Sequence, residues 1–203
     1  MMHIMHRRFP HNPALLAVAL LSFSVVAYML PWVNSPGASL SFGAYDMAEW
    51  ASLTPAVRTE TPPLFTSLLL RLPLACIAVL FAASVAHARR SLMVWLGVFL
   101  VVSLAALQLP AFAFLTTARQ DPNYQQQVFL ALLTLVLGRA ALFVQRQRWW
   151  VLTVWGVGML GASASLWGLL RAFDVMQSHA LPIAIGMGGP LLTVLLLVFP
   201  YLM

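Results

Sequence analysis

Histidines, and arginines that lie within apolar runs, are the side chains in this sequence with the chemistry for a functional site. His3 and His6 stand three residues apart, a spacing that would place two imidazoles on one helix face, but they lie in an N-terminal tail. A transmembrane haem needs two histidines that face each other at one depth. His11, His87 and His179 fall outside the apolar runs or at their edges and offer no such pair. We therefore expect solvated or structural histidines and no metal site.

Two arginines, Arg71 and Arg139, fall within apolar runs, and ionisable groups at bilayer depth are functional candidates. Arg139 lies near the end of its run, so its long side chain can reach the lipid headgroups unaided. Arg71 lies deeper and just before Pro73, which frees a backbone carbonyl that needs a donor. Arg71 could snorkel outward or form an ion pair, and a structural ion pair is the expected role. The carboxylates available to it are Asp46, Glu49 and Glu60.

Other catalytic and coupling groups are missing from the pattern. No Asp, Glu or Lys lies within an apolar run, which disfavours ion-coupled transport. The sequence contains neither His-Glu-x-x-His nor Gly-x-Ser-x-Gly, so protease and hydrolase interpretations lack support. A single cysteine, Cys76, excludes a disulfide framework and a cysteine-ligated cluster held by this chain alone. We expect no enzyme activity and no cofactor bound by this chain; lipids are expected ligands, and a quinone remains open.

The composition explains where these residues must be positioned. Of 203 residues, 62% are hydrophobic and 8% are charged, whereas soluble domains carry about 25% charged residues. This number of charges is too small to cover a globular protein with polar surface. We therefore expect lipid to surround most of the protein surface. The net charge of +6 reflects eleven arginines and no lysine, and all the arginines except Arg71 and Arg139 lie outside the apolar runs. We therefore expect a membrane protein with no nucleic-acid partner.

Six apolar segments approach the roughly 20 residues that cross a bilayer core of about 30 Å. They cover about 14–33, 64–86, 92–116, 127–144, 150–170 and 181–203. The predicted fold is all-α, a polytopic membrane protein in which residues 1–203 form one six-helix transmembrane domain. No small-x-small cleavage pattern follows the first segment closely, so we expect an uncleaved helix.

The arginines orient these segments by the positive-inside rule. One set of linkers holds Arg7, Arg8, Arg89, Arg90, Arg146 and Arg148 and no carboxylate. The opposite linkers hold Arg58, Arg119 and Arg171 together with all five acidic residues, Asp46, Glu49, Glu60, Asp121 and Asp174. We therefore place both termini in the cytoplasm, in a bacterial inner membrane.

The longest linker, residues 34–63, lies on the outer side in this topology and is rich in glycine and proline. Residues 44–53 within it predict a short helix, with Met47, Trp50 and Leu53 on one face and Asp46 and Glu49 on the polar one. One interpretation is an interfacial helix at headgroup depth, anchored by its aromatic residues. The other is a docking surface for an external partner, and both can hold together.

Small residues in the fifth segment indicate close helix packing. Gly158 pairs with Ala162 and Gly161 with Ser165 in small-xxx-small patterns that permit close backbone approach. Packing inside the bundle and contact with another subunit are both open.

The sixth segment contains Gly188, Gly189 and Pro190 in succession. Pro190 removes one amide donor and crowds an earlier carbonyl, which predicts a kink. An unwound stretch lining a substrate path is the alternative for these residues.

Three stretches of the N-terminal part resemble a known group of proteins. These are Leu30-Pro31-Trp32, Tyr45-Asp46-Met47-Ala48-Glu49-Trp50 and Leu70-Arg71-Leu72-Pro73. They resemble uncharacterised small membrane proteins of phototrophic, high-GC bacteria, which look like accessory subunits of quinol-oxidising complexes of the alternative complex III type. The resemblance covers about the first 75 residues and includes no cofactor motif. It implies a role in supporting electron transfer, in photosynthesis or respiration, with the redox centres in other chains.

The leading functional hypothesis is therefore a non-catalytic accessory subunit, held among other membrane subunits of a larger complex. The alternative is a small permease or transporter component whose broken sixth helix lines the substrate path. Oligomeric state and the identity of the complex stay open.

Overall fold

The computed structural model describes residues 13–35, 40–86, 91–116, 118–143 and 147–202. His3, His6, His11 and His87 lie outside these ranges, as do Arg7, Arg8, Arg89, Arg90 and Arg146. The helices are α1 (Pro13–Met29), α2 (Ala44–Leu53), α3 (Pro55–Arg58), α4 (Phe65–Val85), α5 (Ser91–Ala106), α6 (Pro122–Leu142), α7 (Gln147–Ser178) and α8 (Gly188–Leu202). Three short strands, β1 (Val33–Ser35), β2 (Leu40–Phe42) and β3 (Ala184–Ile185), and a 3₁₀ turn (Phe112–Leu115) complete the described chain.

Three helices are long and apolar enough to cross a membrane: Phe65–Val85, Pro122–Leu142 and Arg148–Ser178. Three further apolar helices, Leu15–Met29, Leu92–Ala106 and Gly188–Leu202, are shorter than the predicted segments. The difference arises because hydropathy does not report where a helix ends. Apolar residues after Met29, after Ala106 and before Gly188 leave the helical conformation, at stretches that contain Pro31, Pro110 and Pro182.

The central element of the bundle is α4. It packs against α1, α2, α5, α6 and α7, and 89% of its 18-residue apolar stretch is buried. A helix that is apolar all round is expected to be surrounded by other helices. Pro73 lies within α4 and is itself buried. The helix therefore serves as the core on which the other helices are arranged.

The helices alternate in direction, which places specific termini together. Arg58, just before α4, contacts Asp121 at the start of α6, and Arg171 near the end of α7 contacts Glu60. The beginning of α8 adjoins the end of α1, because the amide of Gly188 donates to the carbonyl of Pro31. We call this end of the bundle, which also carries β1, β2, α2 and α3, the polar end.

The other end of the bundle holds the beginning of α7 and the ends of α4 and α8. The indole of Trp150 donates to the carbonyl of Ala83 at 2.8 Å, and Trp155 stacks edge-on with Tyr201 at 4.6 Å between ring centroids. We call this the opposite end.

The sixth predicted segment differs most from its prediction. Residues 181–187 are not helical; Ala184 and Ile185 pair with Asn34 and Val33, so the sheet has the order β2-β1-β3. The predicted kink at Pro190 is wrong, because α8 begins at Gly188 and places the proline in its first turn. An amide at this position has no partner within the helix, so proline is tolerated there.

The glycines around that helix start are required by close packing. A Cβ on Gly188 would lie 2.6 Å from the carbonyl oxygen of Leu30 and would also meet the Trp32 ring. A Cβ on Gly189 would approach Leu169 and Trp32 at 2.8 and 3.1 Å. The buried Trp32 therefore fills the space against these glycines.

Candidate functional site

The most unusual feature of the polar end is a fully buried arginine. The Arg71 side chain, six residues into α4, is only 2% exposed. Its Nη2 donates to Oε1 of Glu49 on α2 at 2.7 Å, and its Nη1 donates to Oε1 of Gln126 on α6 at 3.0 Å. Of the three carboxylates that the sequence offered, Glu49 is the partner. Both of these hydrogen bonds go to side chains rather than to a carbonyl freed by Pro73.

Glu49 is held by donors from two helices. Besides Arg71, Gln127 Nε2 donates to its Oε1 at 2.6 Å and Asn123 Nδ2 to its Oε2 at 3.3 Å. Its side chain remains 35% exposed, so the carboxylate keeps some contact with the surroundings while the guanidinium does not. Bonds that involve charged groups are about twice as strong as neutral ones, so this carboxylate joins α2, α4 and α6.

Three amides at the start of α6 belong to the cluster, and sequence reasoning missed them. Asn123 and Gln127 are one helical turn apart and both are buried. Gln126 links Arg71 to the carbonyl of Leu64, which accepts from its Nε2 at 3.1 Å. A search restricted to ionisable residues could not find them, although the i, i+4 spacing of Asn123 and Gln127 was visible. We call Arg71, Glu49, Asn123, Gln126 and Gln127 the arginine cluster.

The local fold of residues 43–53 positions Glu49 beside the other members of the cluster. The amide of Gly43 donates to Asp46 Oδ2 at 3.3 Å at the start of α2, which occupies the residues that the sequence predicts to be helical. Ala44, Met47, Ala48 and Ala51 form its buried face, and Ser67 Oγ donates to the carbonyl of Ala48 at 3.1 Å. Leu53, expected on the apolar face with Met47 and Trp50, is the last residue of α2 and is 73% exposed, whereas Met47 is buried.

The start of α4 is fixed by a strained residue. Leu64 adopts the left-handed conformation, with φ of 57°, which costs a non-glycine residue on the order of 1 kcal/mol or more. Its amide donates to the carbonyl of Val57 at 3.0 Å, and its side chain is buried beside Ala51 and Val57. Packing and hydrogen bonds on both sides of the peptide therefore hold the turn that precedes Arg71.

A second charged group joins α7 to the start of α4. Arg171 lies 3.1 Å from Glu60 Oε1 and also lies over the Phe65 ring, 5.4 Å from its centroid. Glu60 Oε2 accepts from the Thr66 amide at 2.8 Å, so the carboxylate satisfies one of the amides that the first turn of α4 leaves without a helical partner. Glu60 is thus a partner of Arg171 rather than of Arg71.

The third ion pair is the most exposed. Arg58 Nη2 lies 3.1 Å from Asp121 Oδ2, with both side chains at least 29% exposed. Asp121 also caps α6 by accepting from the Asn123 amide at 2.9 Å. Surface ion pairs of this kind contribute about 0–1 kcal/mol to stability. The main role of Asp121 is therefore to fix the start of α6, the helix that carries Asn123 and Gln127 to Glu49.

Tyr45 adds a titratable group beside the cluster. Burial raises the pKa of the Tyr45 hydroxyl above its usual value, and the nearby negative charge of Glu49 raises it further. Both causes favour the protonated phenol. The hydroxyl therefore remains a neutral donor beside the carboxylate, since loss of its proton would place two negative charges together.

The remaining predicted site residues have structural contacts. Asp46 caps α2, and Trp50 stacks edge-on against His179 at 5.7 Å between ring centroids. A Cβ on Gly158 would meet Pro200 at 3.0 Å, and one on Gly161 would meet Cys76 and Leu196 at 3.0 Å. The small residues of α7 therefore pack against α8 and α4 of this chain. Gly188, Gly189 and Pro190 form the start of α8, where Trp32 packs against the two glycines.

Chemically, the arginine cluster is suited to holding helices together. A guanidinium carries five N–H donors in a fixed plane, and each carboxylate oxygen can accept more than one hydrogen bond. Within the described ranges, no three His, Cys, Asp or Glu side chains lie together in a group that could bind a metal ion. Arg71 Nε, Asn123 Oδ1 and Gln127 Oε1 are buried without a hydrogen-bond partner there, so the cluster retains further hydrogen-bonding capacity. Comparison with family models, curated proteins and solved structures finds no match to this chain.

Proposed function

We propose that this chain is a non-catalytic accessory subunit of a larger membrane complex. The observation that carries the proposal is the arginine cluster. Its deepest charged group, Arg71, is bonded to Glu49 and Gln126, and these bonds join α2, α4 and α6. A buried polar network whose members bind each other fixes a unique arrangement of helices. That is the task of a structural subunit.

The proposed topology has six spans with both termini in the cytoplasm. The three shorter helices contain 15–17 residues, or about 22–26 Å at 1.5 Å per residue. That length is a few ångströms short of an average core, a mismatch that local thinning or flanking residues accommodate. The carboxylates of the ion pairs, Glu49, Glu60 and Asp121, lie at the polar end, and we assign this end to the periplasm of a bacterial inner membrane.

Exposed apolar side chains on α5, α6 and α7 support contact with lipid or with other subunits. Trp95, Phe99, Phe129, Val136 and Trp167 are each more than half exposed. Contiguous apolar surface of this kind marks a membrane or protein contact. Gly156 on α7 offers a way to distinguish lipid contact from subunit contact. A Cβ added there would meet nothing within 4 Å in this chain, so a larger side chain would disturb only a neighbour.

The assignment to a quinol-oxidising complex rests on the resemblance of the first 75 or so residues. In this proposal the haems, iron–sulfur clusters and quinol site belong to the other subunits. The part of the chain that resembles those accessory proteins includes both members of the Arg71–Glu49 pair. The pair would then hold α2 in the position that a neighbouring subunit recognises.

The test is gentle extraction from native membranes, native-gel separation and mass spectrometry of the band that contains this chain. Co-migration with haem- or quinone-binding proteins, far above the mass of the chain, is the expected result. Migration alone would contradict the accessory role. Gly156→Leu sharpens the test: if the open face of α7 contacts another subunit, this variant releases the chain from the complex while the isolated chain stays folded.

The alternative of a permease component draws on one observation, the non-helical stretch 181–187 before α8. The packing of Trp32 against Gly188 and Gly189 counts against an open path there. Substrate uptake by the purified chain in liposomes would favour the permease. An inert chain that co-purifies with redox subunits would favour the accessory role.

A further inference from the structure

The charge distribution leaves Arg139 without a carboxylate side chain as partner among the described residues. Asp121, at the start of the same helix α6, lies about 27 Å away along the helix axis. Glu49 and Glu60 belong to ion pairs at the polar end, and Asp46 caps α2 there. Asp174 follows Arg171 near the end of α7, also at the polar end. In the described part of the chain, the one electrostatic contact of the Arg139 guanidinium is with the Phe143 ring, whose centroid lies 5.8 Å from its Cζ.

Arg139 lines an apolar groove between α5 and α6. The groove has a volume of about 420 Å³, and its lining includes Val94, Val98 and Val102 from α5 and Leu135 and Phe143 from α6. Among the described residues that line the groove, Arg139 is the one that carries a charge. Because the two helices are antiparallel, Val94 and Phe143 mark the groove's opening toward the opposite end. Val102 and Leu135 mark its inner part, about 12 Å further along.

We infer that this groove binds an anionic phospholipid, with its phosphate at Arg139 and one acyl chain along the valines of α5. The arrangement matches the two chemical parts of such a lipid. A guanidinium binds phosphate oxygens through two parallel hydrogen bonds, and the aliphatic lining of the groove offers van der Waals contact to the methylene groups of an acyl chain. A neutral lipid would satisfy the groove but leave Arg139 without a net counter-charge, and a free phosphate would leave the groove empty.

The position of Arg139 along α6 agrees with a headgroup contact. It lies four residues before Phe143, the first residue after the helix, or about 6 Å from the helix end. A guanidinium at that depth reaches phosphate level by snorkelling. Basic pockets between helices on the cytoplasmic side are a recognised type of site for anionic headgroups. The inference depends on the membrane placement given under Proposed function, but not on the identity of the complex.

The experiment is native mass spectrometry of the purified chain after exchange into vesicles or nanodiscs of phosphatidylglycerol and phosphatidylcholine in equal amounts. The wild-type chain should retain phosphatidylglycerol preferentially. Arg139→Gln should reduce this preference about fivefold, the effect of one basic residue near an anionic surface. Val102→Phe, which fills the inner groove at an exposed position without changing charge, should reduce retention of both lipids.

Arg148→Gln is the matched control, because Arg148 is an exposed arginine near the beginning of α7 and does not line the groove. It should leave the lipid preference unchanged. Equal losses for Arg148→Gln and Arg139→Gln would overturn the inference in favour of diffuse surface attraction. An unchanged preference in Arg139→Gln or unchanged retention in Val102→Phe would overturn it as well.

The outcomes separate this inference from the proposed function. A chain that alkaline carbonate extracts from membranes would contradict the membrane placement itself. A membrane-embedded chain without lipid selectivity would contradict only the lipid site. Selective lipid retention by a chain that migrates alone in the native gel would support the lipid site and contradict the accessory role.

Discussion

Arg71 and Arg139 are both arginines in apolar helices, yet the structure treats them in opposite ways. Arg71 is buried, paired with Glu49 at 2.7 Å and bonded to Gln126. Arg139 is exposed, with the Phe143 ring as its neighbour and no carboxylate near it in the described chain. The comparison shows that a charge inside an apolar segment has two stable solutions. One is a partner supplied by the fold, and the other is a position from which the side chain can reach a polar surface.

The largest expected effect is the loss of the Arg71 side chain. Arg71→Leu leaves Glu49 without its counter-charge and Gln126 without its donor, which should destabilise the chain by about 3 kcal/mol, the lower end for a broken buried pair, because Glu49 is partly exposed. Thermal unfolding of the purified chain in detergent measures this loss, and the yield from membranes should fall with it. Unchanged yield, stability and complex size in Arg71→Leu would contradict the structural role of the ion pair.

Removing the opposite charge should have a similar effect. Glu49→Gln keeps the shape of the side chain but leaves the Arg71 guanidinium buried without a counter-ion, a loss we also place at about 3 kcal/mol. Asp46→Asn is the matched control on the same helix, because it changes only the bond to the Gly43 amide, which is worth about 1 kcal/mol. Equal melting temperatures for the two variants would show that the Glu49 charge is not special.

A smaller effect tests the packing that replaces the predicted kink. Gly188→Ala places a methyl group against Trp32 and the Leu30 carbonyl, and overpacking of this kind costs about 1–3 kcal/mol. Gly156→Ala meets open space and should be neutral or stabilising by about 0.5–1 kcal/mol in the isolated chain, because alanine is the better helix former. A Gly188→Ala variant as stable as wild type would argue that α8 does not begin tightly against Trp32.

The smallest effect should come from Arg139. Arg139→Leu removes no ion pair within the described chain, so the free energy of unfolding in a neutral detergent should change by no more than about 0.5 kcal/mol. The difference between the unfolding free energies of Arg139→Leu and Arg71→Leu measures how much more a paired, buried arginine contributes to stability than an unpaired, exposed one. A destabilisation as large as that of Arg71→Leu would mean that Arg139 has a partner within the chain.

The apolar helices and helix 44–53 could be predicted from the sequence, because hydropathy and residue spacing depend only on residues that are close together in the chain. It narrowed the partner of Arg71 to three carboxylates but could not choose among them. That choice depends on where α2 lies against α4, which is set by the packing of Ala48 and Ala51 and by the Ser67 bond. The amides of α6 were missed because their importance appears only beside Glu49.

The amino-acid sequence alone sets the apolar composition and separates the carboxylates from most of the arginines. It also places Arg139 eighteen residues after Asp121, the acidic residue that begins the same helix. Those properties follow from the order of residues along the chain. Contacts in three dimensions were needed to pair Arg71 with Glu49, to pack Trp32 against Gly188 and Gly189, and to start α8 at Gly188 rather than near residue 181. Each of these depends on contacts between residues far apart in sequence, where packing and the need to satisfy buried polar groups outweigh local preference.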